Sequence, residues 1–187
     1  MHALLRLSSA RQRSMSAIPR ERRSAWSLAI LLGVVVTVTL QIFSGIAMGL
    51  GWMSLLAFHI EDGMAAALFI LLEWLWLAGT RPGRRALGHL FPTVGQRWRA
   101  AGRQCRDIFL NRPTPALNTI VEGAFLLIAT LAVLLGLLLA FTALPARFPL
   151  LLAGHRALAG LLALLWIIHL LLALHAALGR RAAARRC

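Results

Sequence analysis

The sequence predicts an all-α integral membrane protein, a four-helix bundle with both termini on the cytoplasmic side. Three observations carry this. Four apolar runs, about 26–50, 53–78, 116–143 and 153–178, are each long enough to cross a hydrocarbon core about 30 Å thick at a rise of about 1.5 Å per residue. The 187-residue chain is 59% hydrophobic, more than a soluble domain of this size needs for its core. The positive charge is also lopsided. All 20 basic residues are arginine, and only Arg147 and Arg156 fall in the two connections assigned to the outer side. The other 18 lie in the N-terminal tail, the long middle connection and the C-terminal tail, and cationic loops of this kind stay in the cytoplasm.

Residues 1–25 form a basic tail, with Arg6, Arg11, Arg13, Arg20, Arg22 and Arg23 against the single acid Glu21. A Ser/Arg-rich, acid-poor start also suits an organelle transit peptide. The plainer reading is a cytoplasmic tail held inside by its charge. The run from Trp26 to Leu50 exceeds the roughly 7–15 apolar residues of a signal peptide, so it reads as an anchor. Gln41 and Ser44 are its only strongly polar interruptions. The second span carries His59 near its start, with Glu61, Asp62 and Gly63 close by. Glu73 follows 14 positions after His59, close to four whole turns, and so shares its face near the other membrane side.

Residues 79–115 make a polar connection with eight arginines, in which Pro82, Gly83 and Pro92 are expected to break any long helix. The piece from about 94 to 110 suits a short amphipathic helix on the membrane face. The connection reads either as a docking surface for a partner subunit or as a solvated, lipid-touching loop. The third span is entered through Thr114, Pro115 and Asn118 and holds Glu122 within its first two turns. Pro145 and Pro149 punctuate the connection that follows, and the fourth span ends at Gly179, where the basic tail 179–187 begins.

The net charge of +14 would suit nucleic acid in another context. Here the arginines cluster between and beyond the apolar runs, and the sequence lacks tyrosine and any aromatic–basic interleaving, so nucleic acid is not the expected partner and membrane lipid is. Cys105 and Cys187 are too few and too distant in sequence for a disulfide framework, a zinc site or an iron–sulfur cluster, and are expected as free thiols.

The stretch from His155 to His175 carries three histidines in an apolar helix. His155 and His169 are 14 positions apart, which puts both imidazoles on nearly one face and roughly 21 Å apart along the axis. A lone histidine in such a helix is usually a packing residue. A pair stacked at this spacing is one way for a single helix to hold two haems at different depths, and intramembrane ionisable groups are functional by default. His175 lies on another face and reads as interfacial. In the assigned topology the second and fourth spans run the same way, so His59 and His155 both lie near the outer side. If these helices are neighbours, the two imidazoles can ligate one iron from opposite sides. Gly63, Ala159 and Gly160 are small residues that would admit a porphyrin beside them. His169 lacks an obvious partner; Glu73 and Glu122 lie at matching depth and suit a hydrogen bond to the imidazole or proton delivery to a quinone.

Four spans, one His early in the second, a His pair 14 apart in the fourth and a long cytoplasmic loop after the second together resemble the cytochrome b membrane subunits of bacterial formate dehydrogenases and nickel–iron hydrogenases. The resemblance covers roughly residues 20–178 and is topological. It implies that His59, in HIEDG, and His155, in HRALAG, bind an outer haem b, and that His169 binds an inner one. The family completes the inner haem with a His of the first helix in the form R-x-x-H-W. Here that stretch reads RRSAW and Ala25 stands at the ligand position, so the second haem lacks its partner. The resemblance further implies electron transfer within a respiratory or photosynthetic complex of the bacterial cytoplasmic membrane, between a periplasmic partner subunit and quinone, rather than stand-alone catalysis. A haem-free anchor or assembly subunit descended from such a cytochrome is the competing expectation. A transporter or metal-ion carrier using the same His and Glu residues ranks below both, since no repeats or broken helices are evident.

Overall fold

Four helices long and apolar enough to span a membrane dominate the computed structural model, which describes residues 24–91, 102, 115–142 and 149–184. Helix α1, Ala25–Gly49, starts where the Ser24 hydroxyl accepts from the Ser27 amide at 3.2 Å, an N-cap that satisfies one of the orphan donors of the first turn. Gly51 then takes φ 103°, a left-handed value that costs glycine little, and reverses the chain into a short 3-10 turn, Met53–Leu55, and helix α2, Leu56–Gly79. Helix α3 is Arg81–Leu90, α4 is Pro115–Thr142 and α5 is Pro149–Ala184. No strand occurs among the described residues.

The four spans sit where the apolar runs place them, with three differences. Pro82 and Gly83 begin a helix instead of breaking one. Thr80 caps α3 by accepting from the Gly83 amide at 2.9 Å, and proline in the first turn removes only an amide that has no intrahelical acceptor. A side chain at Gly83 would collide with the Trp76 carbonyl, so the tight α2–α3 corner requires glycine. Pro149 likewise opens α5, a few residues before the start expected near 153. At its other end α5 runs through Gly179 to Ala184, because one glycine costs a helix only about 1 kcal/mol and the flanking Ala and Arg are strong helix formers. At 36 residues, or about 54 Å, α5 is longer than a bilayer core requires. The amphipathic segment expected at 94–110, Cys105, Cys187 and nearly all of the N-terminal tail lie outside the described residues, apart from Gly102, which is helical.

Helices α1 and α2 form one tight hairpin and α4 and α5 another; α2 packs on α4 and α1 on α5, which closes the ring. Helices α2 and α5 therefore stand diagonally across the bundle and are not neighbours. Side-chain hydrogen bonds cross the further interfaces: the Trp74 indole donates to Thr130 Oγ1 at 3.0 Å between α2 and α4, and the Trp166 indole to Thr39 Oγ1 at 3.2 Å between α5 and α1. Such bonds stabilise helix pairs where lipid offers no competing partner. The centre is filled by Val34, Val38, Ile42, Ile70, Ala129, Ala132 and Leu162. The outer surface carries Leu32, Phe43, Leu68, Leu131, Leu170 and many other large apolar side chains, a coat suited to hydrocarbon and not to water. At one end α3 folds back on the bundle. Leu90 abuts Gly123 of α4, and Phe91 stacks on Trp74 with ring centroids 5.9 Å apart.

Candidate functional site

At the bundle end where α1 turns into α2, His59 and His155 face one another with ring centroids 6.4 Å apart and ring planes 76° from parallel. His59 lies in the first turns of α2 and His155 in the second turn of α5, so the two come from diagonally opposite helices and meet across the centre. Adjacency of the two helices, the condition on which the sequence reading rested, is not what joins them. The bundle core does so.

Each ring is held from behind by a neighbouring helix. Ser44 Oγ of α1 is 2.7 Å from His59 Nδ1, and also 2.8 Å from the Leu40 carbonyl and 3.3 Å from the Gln41 carbonyl. With its one proton on the Leu40 carbonyl, Oγ can accept from His59 Nδ1–H, the tautomer that leaves Nε2 to a metal. His155 Nδ1–H donates to the Ala132 carbonyl of α4 at 3.0 Å, where again only the ring can supply the proton. In a neutral imidazole, protonation at Nδ1 leaves Nε2 bare. With both rings in that tautomer, the pair would offer two Nε2 atoms to a metal between them.

Glycines lie beside both rings, though not the ones the sequence suggests. A Cβ at Gly136 of α4 would lie 2.9 Å from His155 Cε1, and one at Gly45 of α1 would lie 3.5 Å from His59 Cε1. Gly63 instead faces the Gln41 side chain, and Gly160 is exposed with open space beside it. The small residues next to the imidazoles thus come from the flanking helices, since a ring reaching across the bundle meets its neighbours' backbones and not its own. Gln41 completes the site: its amide donates to the His59 carbonyl at 2.6 Å and to Asp62 Oδ2 at 2.9 Å.

The centroid separation is the one two imidazoles would have on a single iron. Two imidazoles on opposite sides of one metal, with metal–nitrogen bonds of about 2 Å and ring half-widths of about 1 Å, have centroids about 6 Å apart. The separation here is 6.4 Å. Among the described residues no three of His, Cys, Asp or Glu gather to hold a bare ion. A porphyrin iron asks only two axial ligands of the protein, because the macrocycle supplies the others. No protein-family model, curated protein or solved structure matches the chain.

The remaining candidates are not assembled in this way. His169 is half-buried on α5, and Glu73 on α2 is only 3% exposed. Glu122 accepts from the Asn118 amide at 2.6 Å within α4. None of them belongs to a ligand cluster among the described residues. Ala25 is exposed as the first residue of α1. In the sequence alone Gln41 and Ser44 stand out only as polar interruptions and Asp62 only as a neighbour of His59. Polar residues three apart on one face of an otherwise apolar span were the available sign of a role.

Proposed function

We propose that the chain is a haem b-binding membrane subunit that transfers electrons within a respiratory or photosynthetic redox complex, between a periplasmic partner subunit and the quinone pool. The observation that carries this reading is the His59–His155 pair: two imidazoles 6.4 Å apart, each hydrogen-bonded at Nδ1 to a flanking helix. Haem, when bound there, supplies a one-electron iron couple. The chain's residues supply the axial ligands, hold them in one tautomer and enclose the site in apolar surroundings. The arginine distribution supports both termini on the cytoplasmic side, and in the bacterial cytoplasmic membrane that the resemblance implies the paired histidines would lie toward the periplasm. In the cytoplasmic half, Glu73 and Glu122 are the groups suited to moving protons to a quinone, and His169 is the ligand available to an inner haem.

The test is optical. The purified protein should show a low-spin b-type absorbance that both His59→Ala and His155→Ala abolish. An unchanged spectrum in both variants removes the assignment.

A second reading is favoured by one specific observation. Ala25, where the resembling family has its inner ligand, is exposed, and α1 holds no histidine. The chain would then be a haem-depleted or haem-free anchor or assembly subunit. Haem per polypeptide, measured as the pyridine haemochrome, separates the readings at zero, one or two.

A further inference from the structure

Asp62 is a carboxylate only 9% exposed, set inside a helix apolar enough to cross a membrane. It sits three residues after His59 on α2, close to one turn on and so on the neighbouring face. Gln41 of α1 fixes it, with one amide nitrogen donating both to Asp62 Oδ2 and to the His59 carbonyl. Among the described residues its side chain accepts a hydrogen bond from Gln41.

Helix adhesion does not require this carboxylate. The His59 carbonyl already accepts from Gln41, and a neutral Asn or Ser at position 62 would accept the second proton without the desolvation cost of an acid in an apolar bundle. A carboxylate at this position instead suits a positive charge that develops at the paired imidazoles.

We propose that Asp62 is the counter-charge of the two-histidine site, held by Gln41 beside His59 so that its carboxylate biases iron bound there toward the oxidised form. The inference rests on the haem reading above. Oxidised iron carries one more positive charge than reduced iron. At an effective dielectric constant of about 20, a unit negative charge within roughly 10 Å shifts such an equilibrium by on the order of tenfold.

The experiment is a spectroelectrochemical titration of the full chain loaded with haemin in lipid nanodiscs. Asp62→Asn keeps an acceptor for Gln41 and removes the charge. It should leave the absorbance bands in place and raise the ratio of reduced to oxidised haem about tenfold at fixed potential, which is 59 mV for one electron. Asp62→Glu keeps the charge and should stay close to wild type. Asp62→Ser, a second uncharged acceptor, reads the same quantity should Asp62→Asn fail to accumulate. A wild-type spectrum with an unmoved potential in the uncharged variant means that Asp62 serves adhesion only, and it overturns the inference while leaving the haem reading intact. A wild-type chain that takes up no haemin overturns both.

Discussion

Ser44 Oγ and His59 Nδ1 stand 2.7 Å apart, so a hydroxyl on α1 orients the ring that α2 presents to α5. Ser44→Ala leaves that ring N–H without its partner inside the bundle, a cost of about 1–3 kcal/mol, and frees the imidazole to change tautomer. Loss of such a supporting hydrogen bond typically weakens metal-site affinity about 10- to 100-fold. Haemin titration of Ser44→Ala should show a loss of that order. The bands should keep their positions at saturation, because His59 itself remains.

The glycine at 136 allows a sharper test of geometry. Its missing Cβ would lie 2.9 Å from His155 Cε1, closer than real side-chain contacts come. Gly136→Leu should push the ring off its position and abolish the b-type absorbance while the circular dichroism stays helical. Gly45→Ala, whose added methyl meets His59 Cε1 at an ordinary 3.5 Å, should retain the absorbance and so serves as the matched control.

These two tests also show where the sequence was legible. Apolar runs and arginine placement were enough to read four spans, because lipid imposes composition on every residue of a spanning helix. The 14-residue spacings and the shared direction of the second and fourth spans put His59 and His155 at one depth. The sequence did not reveal that they meet diagonally, because ring closure depends on which faces of α1 and α4 are small enough for close packing. Gly45 and Gly136 look like any other glycines in an apolar run. Their role appears only once the helices are in register. Pro82 and Pro149 misled for a related reason. Proline stops a helix in its interior but suits its first turn, and only the Thr80 cap shows which applies at Pro82.

Bundle stability should depend on a different glycine. The ring of Phe69 on α2 occupies the space where a side chain at Gly33 of α1 would project. Gly33→Val must displace that ring or part the α1–α2 hairpin, at a cost of about 1–3 kcal/mol for overpacking. Thermal unfolding in detergent should show a lowered midpoint for Gly33→Val. At Gly49, beside which there is open space, Gly49→Ala should leave the midpoint unchanged.

His169 tests how many haems the chain holds. It lies 14 residues beyond His155 on α5, where the resembling family places the second ligand of the pair. Its partner position, Ala25, carries a methyl group and points to solvent or lipid from the first residue of α1. A single half-buried imidazole does not form a facing pair like that of His59 and His155. The pyridine haemochrome count should therefore be one per chain in the wild type and remain one in His169→Ala, with the spectrum unchanged, whereas His155→Ala brings it to zero. A wild-type count of two that falls to one in His169→Ala would show that a group other than a first-helix histidine completes the inner site, and Glu73, nearly fully buried 14 residues beyond His59, would be the first to replace.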